Sequence, residues 1–91
     1  MTEEETQQLR KEETRRAVRR HLVERPAMAQ LPRTIRRSLT REIQGITDDE
    51  VTDACIFLES LRQVEKLTEH LGATKYYRAT ATGTLAHERD N

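Results

Sequence analysis

Residues 47–83 read TDDEVTDACIFLESLRQVEKLTEHLGATKYYRATATG, and the order of patterns in this stretch decides the fold. Thr47-Asp48-Asp49-Glu50 fits a capping box: the threonine hydroxyl accepts from the amide three residues on, and the glutamate reaches back. Asp48 and Asp49 also suit the positive end of a helix dipole. Val51, Ala54, Cys55, Leu58 and Leu61 recur at helical spacing and predict a buried stripe, with the helix ending near Leu61 or Arg62. The period then shortens to two. Residues 64–70 read as a strand, LGAT around Gly72 as a turn, and residues 75–80 as a returning strand that Gly83 breaks. Adjacent tyrosines on a strand point to opposite faces, so one of Tyr76 and Tyr77 belongs in the core.

Upstream, residues 12–24 are helical in pattern. Thr14, Ala17, Val18, His21, Leu22 and Arg25 fall on one side, and Arg15, Arg16, Arg19 and Arg20 on the other. Pro26 ends this helix, because proline lacks an amide donor and biases the residue before it away from the α region. Residues 1–11 carry no clear apolar period and read as a flexible or helical extension. In the connector PAMAQLP, Met28 and Leu31 are the expected apolar anchors. Pro32 suits the first turn of a second helix, where its missing donor costs nothing. That helix is expected to run to about Ile43, with Ile35, Leu39 and Ile43 inward and Arg33, Arg37 and Arg41 outward. Gly45 closes it or the turn that follows. The expectation is an α+β domain over residues 12–86, a three-helix bundle followed by a two-stranded antiparallel hairpin. Residues 87–91 read as a tail, and LAHERDN as that tail or a short helical turn.

Composition narrows the chemistry. Ninety-one residues make one domain's worth of chain, with 35% charged residues and three aromatics, so the core is lean. Cys55 is the single cysteine, which excludes an internal disulfide and any multi-thiolate zinc site. It lies on the buried stripe and is expected to pack rather than react. His21, His70 and His87 show no ligand spacing, and no phosphate-binding glycine loop, HExxH motif or nucleophile elbow is present. No catalytic role, metal or cofactor is expected. The acidic, polar start is unlike a secretory signal, and no apolar run approaches the ~20 residues of a membrane span, so the cytoplasm is the expected compartment. Net charge is zero, yet eleven basic residues face only three acidic ones between Arg10 and Arg41. Such asymmetry points to an anionic partner or to complementary self-association.

The order helix, helix, helix, hairpin resembles a prokaryotic winged-helix domain over residues 12–86. The residues that carry the likeness are the Leu58-to-Leu61 step, the strand opening on Val64, and the returning strand with Tyr77, Arg78, Thr80 and Gly83. The segment ATKYYRATATGTLAHERD is also similar to small winged-helix proteins of Mu-like phages and prophages. The resemblance implies a transcriptional regulator that binds duplex DNA, with the third helix in the major groove and the wing on the flanking backbone.

The residues themselves depart from that pattern. Base readout favours Arg, Lys, Asn and Gln, whereas the outward face of the third helix is predicted to be Asp49, Thr52, Asp53, Ile56, Phe57 and Ser60. The DNA contacts are therefore expected from Arg33, Arg36, Arg37 and Arg41 on the second helix, Arg16 and Arg20 on the first, and Lys75 on the wing. The alternative is a protein-interaction module, without DNA binding, that uses Asp49, Asp53, Ile56, Phe57 and Ser60 to meet a protein partner or a second copy. The blander possibility for the arginines is a solvated face whose charges pair with Glu12, Glu13 and the acidic third helix. Helix capping accounts for Asp48 and Glu50 without a bound cation.

Overall fold

Helix α1 (Glu3–Val23) starts well before the apolar pattern does. Thr2 caps it, its Oγ1 accepting from the Glu5 amide at 3.1 Å, and Glu3, Glu4 and Glu5 occupy the positive end of the dipole. These are observations on a computed structural model, which describes residues 1–69, 72 and 74–90. Thr14, Ala17, Val18, His21 and Leu22 are buried on one side, as their spacing requires. Arg25, expected on that side, is exposed beyond the end of the helix. Arg19, expected on the solvent face, is buried with 8% exposure, because another helix covers it.

Between α1 and α2 (Pro32–Leu39) the expected anchors do not hold. Met28 is 64% exposed and Leu31 half-buried, and the buried residue is Gln30. The Gln30 N–H donates to the Tyr77 carbonyl and the Tyr77 N–H donates to the Gln30 carbonyl, both at 2.8 Å. The side-chain oxygen of Gln30 lies 2.8 Å from His21 Nε2. A polar residue is tolerated there because its hydrogen bonds are satisfied internally.

Helix α2 stops at Leu39 rather than near Ile43. One further turn continues, the Ile43 amide donating to the Leu39 carbonyl at 2.9 Å, so Ile43 still enters the core with Ile35, Leu39 and Ile46. Gly45 follows at φ +72°, the left-handed region where a side chain is strained.

Helix α3 (Asp48–Ser60) carries the capping box in both directions, from Thr47 Oγ1 to the Glu50 amide and from Glu50 back to Thr47. Val51, Ala54, Cys55 and Leu58 are buried. Leu61 is 46% exposed, since the chain leaves the helix there and turns through Arg62 at φ 60°. Strands β1 (Val64–Thr68) and β2 (Lys75–Ala79) pair antiparallel from Val64↔Ala79 to Thr68↔Lys75. Both are shorter than expected, and the expected extension of β1 to His70 lies outside the described residues. Tyr77 enters the core and Tyr76 is half-buried on the other face.

The fold holds one helix more than expected. Instead of a broken strand followed by a tail or a short helical turn, α4 (Ala81–Asp90) packs along α1. Thr80 starts it, its Oγ1 donating to the Arg62 carbonyl at 2.6 Å and accepting from the Gly83 amide at 3.1 Å. Gly83 is buried against the Gln63 backbone. A Cβ there would lie 2.9 Å from the Gln63 carbonyl carbon and closer still to its oxygen. The described residues thus form an α+β unit of four helices and one antiparallel hairpin. Leu22, Ile35, Leu39, Val51, Val64 and Tyr77 lie at the centre of its core. Among the described residues no helix is long and apolar enough to cross a membrane.

Candidate nucleic-acid interface

Helix α2 buries Ile35 and Leu39 four residues apart, which turns Arg33 and Arg37 outward one turn apart. Arg41 continues the stripe past the helix end. All three are exposed, and among the described residues none has an ion pair. Arg36 lies to one side of this stripe and pairs with Asp48 at the start of α3. Arg33 reaches the hairpin: it lines a cavity of about 270 Å³ with Leu31, Pro32, Asp48 and Thr74. Its charge also bears on Tyr76, whose phenol is nevertheless raised above its ordinary value, chiefly by the 2.6 Å hydrogen bond it donates to Glu69. Lys75 is exposed at the start of β2, where strand alternation sets it on the Tyr77 side of the hairpin, opposite Tyr76.

The arginines of α1 are arranged otherwise. Arg20 pairs with Glu42 and with Glu24, and Arg10 holds Glu50 at 2.6 Å while donating to the Gln44 carbonyl. The Arg10 contact pulls the Glu50 carboxyl below its ordinary value. Arg19 pairs with Asp90 of α4 and donates to Gln63 Oε1 at 3.0 Å. Arg15 lies over the Phe57 ring, 3.5 Å from its centroid, a cation–π contact. Arg16 is exposed without an ion pair among the described residues, but helical spacing sets it opposite the buried face of α1. The structure gathers Arg33, Arg37 and Arg41 and gives Lys75 no place beside them. It commits Arg20 and Arg36 to carboxylates and leaves Arg16 apart.

On α3, Asp49, Asp53, Ile56 and Ser60 fall in one outward stripe and all are exposed, Ile56 at 53%. Phe57 leans away from that stripe toward α1 under Arg15, and borders a shallow groove with Leu61 and Arg16. Asp53 also borders a groove of about 330 Å³ beside Lys11 and Arg15, without an ion pair to either. Cys55 is buried, and desolvation pushes its thiol up to about 12, so it stays protonated. The pairs Arg36–Asp48, Arg20–Glu42 and Arg10–Glu50 join segments that no local spacing relates, so sequence reasoning had no signal for them. Comparison with known proteins gave no matching family model, no matching curated protein and no matching solved structure.

Proposed function

We propose that this chain is a winged-helix nucleic-acid-binding regulator that grips duplex DNA by its backbone, using Arg33, Arg37 and Arg41. One observation carries the reading: the α2 stripe is exposed and without carboxylate partners among the described residues, whereas Arg10, Arg19, Arg20, Arg25, Arg36 and Arg78 are all paired. A row of cations one helical turn apart suits phosphates, which supply most of the affinity and little of the specificity. The outward stripe of α3 supports no base reading, since Asp49, Asp53, Ile56 and Ser60 offer no long donor to a base edge. The test is a fluorescence-anisotropy titration of a labelled duplex at several salt concentrations. Replacing Arg33, Arg37 and Arg41 by alanine should weaken binding across sequences and flatten the salt slope by about 0.9 per lost phosphate contact. Arg16→Ala should leave both unchanged. Unchanged affinity and slope in the triple variant would overturn the reading.

A second reading rests on the α3 face. Ile56 and Leu61 are about half exposed, and Asp49 and Asp53 have no ion pair among the described residues. An acidic stripe with an apolar member suits a protein contact better than a phosphate one.

A further inference from the structure

Helices α2 and α3 pack against each other and carry exposed stripes of opposite charge. Arg33 and Arg37 on α2, with Arg41 in the turn after it, make an exposed basic stripe, while Asp49 and Asp53 make an exposed acidic stripe on α3. The Arg36–Asp48 pair ties the two helices together between them. Both stripes repeat every four residues, roughly 6 Å along a helix, so cations on one copy can meet carboxylates on another in register. Ile56 and Ser60 continue the acidic stripe, giving steps of four, three and four residues from Asp49. That is the spacing of a helix-packing seam.

A two-fold contact requires a patch that complements itself, so that each residue pair occurs twice. A surface with a basic half and an acidic half meets this requirement. Turned by 180°, the α2 stripe of one copy lies over the α3 stripe of the other, and the reverse pairing forms at once. We propose that the α2–α3 face binds a second copy of this chain in an isologous dimer, with Arg33 and Arg37 facing the partner's Asp49 and Asp53 and Ile56 sealing the seam. This names the occupant for the protein-contact reading of α3. It also means that the cations offered to nucleic acid are covered in the dimer, so DNA and the second copy compete for them.

Charge-reversed variants separate the possibilities, using sedimentation velocity without nucleic acid at about 0.05 M and 0.5 M salt. The wild-type chain should dimerise with a dissociation constant on the order of 10 µM at low salt and dissociate at high salt. The Arg33→Glu/Arg37→Glu variant carries acid on both helices, and the Asp49→Lys/Asp53→Lys variant carries base on both. Each alone should lose at least about tenfold in self-affinity, because like charges then face each other. Mixed together they should form a heterodimer, since both halves of the contact are attractive again. Combining all four substitutions in one chain should restore the homodimer. All four substituted positions are exposed, and circular dichroism checks that each variant is folded. A wild type that stays monomeric at low salt overturns the proposal, as does a dimer indifferent to the reversals or a mixture that fails to associate. A monomer that still binds duplex would sink the dimer and leave the DNA reading standing.

Discussion

His21 sits in the core with 4% exposure, its Nε2–H donating to the Gln30 side-chain oxygen. Burial holds its imidazole below the ordinary value of 6.5, against the hydrogen bond it donates to Gln30, and the charges of Arg25 and Arg20 push the same way as burial. The unfolded chain therefore takes up a proton at a pH where the folded chain does not. Stability contributed by the neutral ring is complete above about 6.5, falls as pH drops through that value, and levels off below the folded value. Glu50 works in the other window: its lowered carboxyl adds stability above about 4.5 that is lost as pH falls further. Urea denaturation across pH 2.5–8 should show two separate declines, and His21→Gln should remove the upper one. A flat profile between pH 7.5 and 5 would contradict the assignment of His21.

Helix α4 shows where element-scale reasoning reverses a residue-scale rule. A glycine inside a helix ordinarily costs about 1 kcal/mol relative to alanine, so Gly83→Ala in a solvated helix would stabilise. Here the added methyl would collide with the Gln63 carbonyl, a backbone group that cannot swing aside. The expected result in urea denaturation is a loss of about 1–3 kcal/mol, the usual cost of overpacking; a gain would show that α4 does not pack on the loop before β1. The same glycine explains why α4 was hard to read. ATATG has poor helix propensity and no apolar stripe, and Gly83 looks like a breaker when the close approach that requires it is out of sight. By contrast α3 was legible from Thr47 to Leu58, because its start is a local hydrogen-bond pattern and its buried face a simple period. The start of α1 also had a local signal, Thr2 followed three residues later by Glu5, but no apolar run followed to make it stand out. The candidate interface was half legible. Spacing placed Arg33, Arg37 and Arg41 outward, whereas the commitment of Arg36 to Asp48 and of Arg20 to Glu42 depends on tertiary neighbours.

For the molecule as a whole, most of the ion pairs among the described residues join different elements. Arg10 joins α1 to α3, Arg19 joins α1 to α4, Arg20 joins α1 to the turn after α2, and Arg36 joins α2 to α3. Exposed pairs of this kind add little stability singly, but they fix which cations are left for a partner. The reciprocal hydrogen bonds between Gln30 and Tyr77 tie the elements in a different way, because they fasten the root of the hairpin to the segment joining α1 and α2. The hairpin cannot peel from its base unless the helical layer opens with it. Amide hydrogen exchange should resolve this directly. The Gln30 and Tyr77 amide protons should exchange only through global unfolding, while those of Thr68 and Lys75, at the far end of the ladder, exchange through local opening. Matching rates for Tyr77 and Lys75 would mean that the hairpin opens as a separate unit. With β2 held this way at Tyr77, a load applied near Lys75 is passed to the protein interior rather than relieved by a swinging arm.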